Sequence, residues 1–388
     1  MMKQAFRFFA GVLPAAALLL SLLTGCMSVS APAPPEAAPL PPIDLASAVR
    51  EDLPPMGEVR RAGSMLSETE QHVYAGMVRE LDALSEELSF TDVDSDTVCR
   101  AWEAIMADYP EFFWLSGSYQ WGGWEGLGFL WFRPEYLTPV DSVPAMRQQA
   151  EAVCEELLAE SAGMDEYHRA LFFHDTLVQS TVYDAQIAAA VPDRGIHSLS
   201  STAFGCLVNH KAVCTGYARA FQWLAQRSGI ECLRAEGTDR KDGVGHEWNC
   251  IRLAGDYYYV DVTWDDPISE DGDLLTHEFF CITADELLET HIPYEGQGLP
   301  ECTATALDYY RVQGLYFEQY DDAAVGARIR ELTEAGQTEF SFKFGSAEEC
   351  ARAAEDLFDH QVFFEYAAGI ESLSYGQSET QRILYFRL

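Results

Sequence analysis

The sequence predicts an α+β protein, and three stretches carry that prediction. Residues 67–109 hold two helical patterns that lead into short aromatic segments of strand character. Residues 212–228 form a helical pattern followed at once by three strand-like runs. Residues 340–388 set one helix among further strand-like segments.

Taken in order, the first helix opens at Ser67, with Glu70 three residues on to complete a capping box, and Tyr74, Met77, Val78, Leu81 and Leu84 follow at helical spacing. A second helix runs from Asp96 to Tyr109 and is stopped by Pro110. Phe112-Phe113-Trp114, Tyr119-Gln120-Trp121 and Gly128-Phe129-Leu130-Trp131-Phe132 read as strands of a small N-terminal α+β region. Their aromatics are read as core, with a glycan groove as the alternative. Helices resume at 143–160, 165–179 and 212–228, the last ended by Gly229. Strands are expected at Glu231–Ala235, Glu247–Leu253 and Tyr257–Thr263, with Ala254-Gly255-Asp256 as the tight turn between the last two. Beyond residue 305, a helix near 346–358 is flanked by strands at Phe340–Phe344, Val362–Tyr366 and Ile383–Leu388. No internal repeat is visible.

The first residues have the pattern of an export signal. Lys3 and Arg7 precede an apolar run from Phe8 to Leu23, interrupted by Gly11 and Pro14 and too short for a permanent span. It ends in Leu23-Thr24-Gly25-Cys26, which resembles the bacterial lipobox. That resemblance implies cleavage before Cys26, lipidation of its thiol, and a protein anchored to the extracytoplasmic face of the cell membrane. Residues 27–60 are rich in Pro, Ala and Ser, a composition that builds no core and serves as a semi-rigid tether.

Charge narrows the partners. The chain has 25 Lys+Arg against 62 Asp+Glu, a net charge of −37. Loss of residues 1–25 removes two basic and no acidic residues. Such a surface repels nucleic acid, so nucleic-acid binding is excluded as a working reading. Of ten cysteines, Cys99, Cys154, Cys206, Cys232, Cys250, Cys281, Cys302 and Cys350 remain after Cys26 and Cys214 are set aside. Export permits disulfides, yet no CxxC and no zinc-ligand spacing is seen, so buried thiols and bridges stay equally open.

The chemistry concentrates in residues 197–267. Cys214 lies in Lys211-Ala212-Val213-Cys214-Thr215-Gly216-Tyr217-Ala218, at the expected start of a helix. There, free N–H groups and the helix dipole favour a thiolate, the reactive form of cysteine, and the Cys214 N–H is a natural oxyanion donor. His246 lies in Gly243-Val244-Gly245-His246-Glu247-Trp248-Asn249, at the mouth of a strand. With Ala254-Gly255 as the hairpin tip, residue 246 faces 263, and Asp261 is its diagonal neighbour on the same face. Diagonal pairs lie about 7–8 Å apart, within reach of long side chains. A thiol, an imidazole and a carboxylate in that relation are nucleophile, base and orienter. Asp265 shares the parity of Asp261 and is the fallback orienter. The acidic stretch Asp265–Asp273 lacks calcium-loop spacing and reads as a solvated turn. His72, His168, His174, His210, His277, His291 and His360 show no ligand spacing and read as structural, with a supporting role for His210 as a lesser alternative.

The segments Val-Cys-Thr-Gly-Tyr-Ala, Gly-His-Glu-Trp-Asn and Val-Asp-Val-Thr-Trp-Asp-Asp-Pro, in that order, resemble the bacterial transglutaminase-like superfamily. The resemblance extends to Ala203–Asn209 and to Tyr183-Asp184, and covers about residues 165–295. It implies a papain-like/transglutaminase-like α+β core, with Cys214 as nucleophile, His246 as base and Asp261 as orienter. Superfamily members include protein cross-linkers, peptidases, amidases and proteins without known activity. The domains expected are a signal peptide at 1–25, a tether at 26–60, an N-terminal α+β region at 61–140, a catalytic domain at 141–300 and a small C-terminal α+β unit at 305–388. The function expected is attack on amide or peptide bonds through a Cys thioester, hydrolysis favoured over acyl transfer, on protein or cell-wall peptide substrates. A cross-linking transglutaminase and a non-catalytic surface binding module are the alternatives. No cofactor and no metal is expected.

Overall fold

The computed structural model describes residues 60–124, 128–190, 196–266 and 275–388. The signal, Cys26 and nearly all of the tether lie outside these residues, as does most of the acidic stretch after Asp266.

The two helices of the N-terminal region stand where their patterns predict them. Helix α1 (Glu68–Asp82) is closed by the Ser67/Glu70 capping box. Helix α2 (Ser95–Asp108) is capped by Asp94, and both pack beside an antiparallel sheet of order β1 (Leu88–Thr91), β3 (Phe129–Tyr136), β2 (Leu115–Trp124). Phe112, Phe113 and Trp114 are not a strand. They form a turn whose three rings are buried in the core, so their apolarity marks depth and not extension. Phe132 stacks on Tyr119 inside the core, whereas Trp121 is exposed.

Helices α3 (Val143–Glu160) and α4 (Glu166–Ser180) lead into a two-stranded parallel ladder, β4 (Val182–Tyr183) with β5 (Lys211–Ala212). Helix α5 (Cys214–Arg227) follows, buried along nearly its whole length. It packs on a five-stranded antiparallel sheet of order β10 (His291–Pro293), β6 (Cys232–Asp239), β7 (Gly245–Leu253), β8 (Asp256–Val260), β9 (Phe280–Ile282). A cysteine-headed helix laid on an antiparallel sheet is the arrangement a papain-like core requires, and the chain is α+β throughout.

Two glycines permit this packing. A Cβ at Gly216 would come within 2.5 Å of the Ser200 carbonyl oxygen, so only glycine lets the first turn of α5 sit against that loop. At Gly237, which pairs with His246, a Cβ would strike Trp248 and the backbone of β10. The β7–β8 hairpin has the expected tip, with Ala254 and Gly255 at φ 51° and 96°. Positive φ at both central positions is what a tight hairpin turn demands.

The C-terminal unit has its own apolar core, formed by residues such as Tyr310, Ile329, Phe342, Phe363 and Phe386. Its mixed sheet runs β11 (Tyr316–Phe317), β12 (Glu339–Phe344), β14 (Ile383–Arg387), β13 (Ser374–Ser378). Residues 363–366, expected as a strand, are a short helix: Phe363 is buried, and Tyr366, three residues on, covers Gly326. A short apolar run does not by itself distinguish helix from strand. The polar strand Ser374–Ser378 gave no periodic signal. A buried Lys343 joins this unit to the central one, its Nζ 2.8 Å from Asp308 and 2.7 Å from Glu286.

Candidate active site

Cys214 is the first residue of α5, with Val213 as its cap. Its amide belongs to the turn whose N–H groups have no partner within the helix. The preceding strand is fixed from both sides, by Asp184 N donating to Ala212 O at 2.8 Å and Val213 N to Ser200 O at 2.9 Å.

His246 is buried near the start of β7. Its Nε2 is 2.5 Å from Asp261 Oδ2, and the Cys214 thiol is near enough to the same ring to help raise its pKa. Asp261 occupies Nε2, so Nδ1 is the atom left to serve sulfur. Burial alone would lower the imidazole pKa; the charge and hydrogen bond of Asp261, with the nearby Cys214 thiol, raise it to about 10. The fully buried Asp261 carboxyl goes the opposite way. Burial would raise it, yet His246 and His291 hold it well below the usual carboxylate range.

Asp261 is not in the strand position predicted. The β7–β8 register is the expected one, from Leu253↔Asp256 to Asn249↔Val260, but the ladder ends there. Asp261 Oδ1 accepts from Thr263 N at 3.0 Å and Trp264 N at 3.1 Å, turning the chain away, so residue 263 does not continue the ladder opposite His246. The carboxylate reaches the imidazole from the head of this turn.

Two polar clamps set the thiol against the imidazole. Glu247, next to His246, accepts from Thr215 Oγ1 at 3.0 Å, and Thr215 is next to Cys214. The other oxygen of Glu247 takes Arg234 at 2.9 Å. Burial would raise this carboxyl, and the charges of Arg234 and Arg219 together with its hydrogen bonds keep it low. Further along, Asn249 Nδ2 donates to Ala218 O at 3.0 Å and ties β7 to α5 again.

His291 is the residue the sequence reading missed. It is fully buried at the sheet edge, with Nε2 3.0 Å from Asp261 Oδ2 and Nδ1 2.7 Å from Thr290 Oγ1. It is 30 positions from Asp261, and no local signal links the two. Tyr183 stands beside the site as well: burial pushes its phenol up to about 12, with Cys214 and Asp261 adding to the rise. His210, by contrast, is exposed.

Asp265 does not orient His246. It is fully buried, not part of a solvated turn, and accepts from Thr276 Oγ1 at 2.8 Å and Phe279 N at 3.1 Å. Its Oδ2 lies 3.1 Å from Nε2 of a different histidine, His174. His174 Nδ1 meets Asp175 Oδ1 at 2.9 Å, and His277 Nε2 meets the same oxygen at 2.9 Å. Burial would lower the His174 pKa, but the two carboxylates raise it to about 9. Four residues along one turn thus separate two histidine–carboxylate pairs.

All nine cysteines among the described residues are free. Cys250 and Cys302 approach closest to a bridge, with sulfurs 3.5 Å apart.

No family model matches the chain. It is 29% identical over 102 residues to the kyphoscoliosis peptidase of Homo sapiens and 28% identical over 102 residues to that of Mus musculus, in each case 22% of this chain. The chain spans only 15% of the length of these curated relatives. Among solved structures, it is similar to one described as a TGase, at TM-score 0.28 and 15% identity, over 46% of this chain and 50% of the other. It is also similar to a putative cysteine protease from Cytophaga hutchinsonii, at TM-score 0.25 and 12% identity, over 41% and 65%.

Proposed function

We propose that the chain is a transglutaminase-like cysteine enzyme that opens amide or peptide bonds through a thioester on Cys214. The observation that carries this reading is the His246 imidazole held by the buried Asp261 carboxylate, with the Cys214 thiol at the head of α5 near enough to raise the pKa of that ring. In that arrangement the imidazole takes the thiol proton and the carboxylate stabilises the resulting imidazolium. Cys214 Sγ attacks the carbonyl carbon, and the Cys214 N–H receives the developing oxyanion. The C–N bond breaks as His246 returns a proton to the leaving amine. Water, activated by the same imidazole, then cleaves the thioester to a free acid and restores the thiol.

Hydrolysis is favoured over transfer to an amine because an enzyme on the outer face of a membrane works in bulk water. The excess of acidic residues, which attracts cationic amines, supports transfer as the second reading. The substrate class proposed is protein or cell-wall peptide. With such peptides and a labelled primary amine, the wild type releases free acid faster than it incorporates label. Cys214→Ala loses both products by about 10⁴-fold or more. Label incorporation that outpaces acid release would establish a cross-linking transglutaminase. No product from a folded wild type would favour a binding module.

Anchoring through a lipid on Cys26 belongs to the same proposal and rests on the Leu23–Cys26 quartet. Cys26→Ser moves the protein out of the membrane fraction; unchanged fractionation would place the anchor elsewhere.

A further inference from the structure

We propose that His174, Asp175 and His277 form a binding site for one zinc ion, apart from the Cys214 site. One nitrogen from each histidine and one oxygen of Asp175 lie within 4.8 Å of one another. Both nitrogens are 2.9 Å from the same Asp175 oxygen. Zinc bonds of about 2.0–2.2 Å in a tetrahedron place ligand atoms roughly 3.4 Å apart. Opening each N···O contact by about half an ångström therefore brings it to the spacing of coordinated ligands.

The surrounding contacts fit a metal site better than three ligand types alone would. Zinc-bound histidines characteristically give their second nitrogen to a carboxylate, which fixes ring and tautomer. His174 does so: Nε2 faces Asp265 at 3.1 Å, and Asp265 is itself held by Thr276 and Phe279. That leaves Nδ1 towards Asp175, where an ion would take the place of the proton the two now share. The His277 ring is fixed differently, stacked on Tyr309 at 3.8 Å and 5°. His174 is wholly enclosed, whereas the side chains of Asp175 and His277 are 30% and 11% exposed. Thr276, His277 and Tyr309 also line a cavity of about 950 Å³ between the central and C-terminal units. The cavity supplies both an entry path and room for a water as fourth ligand.

The donor set selects the ion. Two imidazoles and one carboxylate suit zinc, whereas calcium and magnesium require oxygen ligands. Binding replaces the protons shared in the His174–Asp175 and His277–Asp175 hydrogen bonds and releases them to solvent. No spacing motif announces such a site, because Asp175 and His277 are 102 positions apart. Asp265, the carboxylate behind His174, donates its N–H to Asp261 O at 3.3 Å, so an ion here stiffens the turn that carries Asp261.

The test uses the full chain as Cys214→Ala, stripped with a chelator, so that the active-site thiol cannot bind metal. Zinc titration followed by desalting is expected to leave one zinc per chain and a raised Tm. Cobalt as a substitute should give a visible spectrum without thiolate charge-transfer bands. His277→Ala and Asp175→Asn, each checked for native circular dichroism, should abolish retention, and Asp265→Asn should weaken it by about 10–100-fold. His291→Ala controls for the other buried cluster, His246, Asp261 and His291, and should retain the ion. Failure of the stripped parent to bind zinc would overturn the proposal and leave a metal-free ion-pair cluster. Retention by both His277→Ala and Asp175→Asn, or loss in His291→Ala alone, would overturn it equally.

Discussion

Asp261 with His246 and Asp265 with His174 are two buried histidine–carboxylate pairs built on one turn, yet they do different things. Their electrostatics are nearly alike: burial works against each imidazolium, carboxylates overcome it, and the two pKa values rise to about 10 and about 9. What differs is the partner of the remaining ring nitrogen. For His246 it is a thiol at a helix start; for His174 it is a second carboxylate, Asp175. A perturbed histidine is therefore no marker of catalysis by itself. The third partner decides.

The sharpest way to break this comparison is to remove each carboxylate's charge in turn. Asp261→Asn is expected to cut activity by about 10³–10⁴-fold, because the imidazole loses its orienting partner and its tautomer. Asp265→Asn should leave activity within about tenfold. It should instead cost about 3–5 kcal/mol of stability in urea unfolding, since a buried imidazolium loses one of its two carboxylates. Equal losses of activity would erase the distinction between the pairs, and a larger loss at Asp265 would reverse it.

A smaller effect should appear in the pH dependence of stability. Folding raises the pKa of both histidines above the ordinary value of about 6.5. Their contribution is complete below about pH 6.5 and is lost as pH rises through about 9 to 10. Asp175 is the opposite case. Burial would raise it, but His174 and His277 lower it to about 2, so its contribution is present above about pH 3.8 and lost as pH falls towards 2. Thermal unfolding in chelator should thus show a plateau between about pH 4 and 6.5 and a decline towards pH 10. His174→Gln should flatten the alkaline limb. A wild-type Tm that does not fall between pH 7 and 10 would contradict the assignment.

How much of this was legible in the sequence follows from the range of the interactions. The Ser67 capping box, the start of α5 at Cys214 and the Ala254-Gly255 turn are local devices, and each stands where the sequence places it. The approach of Asp261 to His246 was legible because a hairpin register is set by its turn. The route by which Asp261 arrives was not, since the end of the ladder depends on a carboxylate capping Thr263 and Trp264. His291 and the His174–Asp265 pair lay beyond reach for a plainer reason: their partners are 30 and 91 positions away, and only the assembled sheet and α4 bring them together.

The central claim is that Cys214, coupled to His246 and Asp261, is the one strongly nucleophilic thiol of the folded units. The most direct measurement is the rate of iodoacetamide modification at each cysteine of the folded full chain near neutral pH, mapped by peptide mass spectrometry. Cys214 is half-buried at a helix start, whereas Cys206 and Cys232 are fully buried. Burial pushes the Cys206 thiol up to about 12 and raises that of Cys232 as well. The account predicts rapid modification of Cys214, slowed in His246→Ala and in Asp261→Asn, with Cys206 and Cys232 unmodified over the same interval. Comparable rates at Cys206 or Cys232, or a Cys214 rate indifferent to both substitutions, would contradict it.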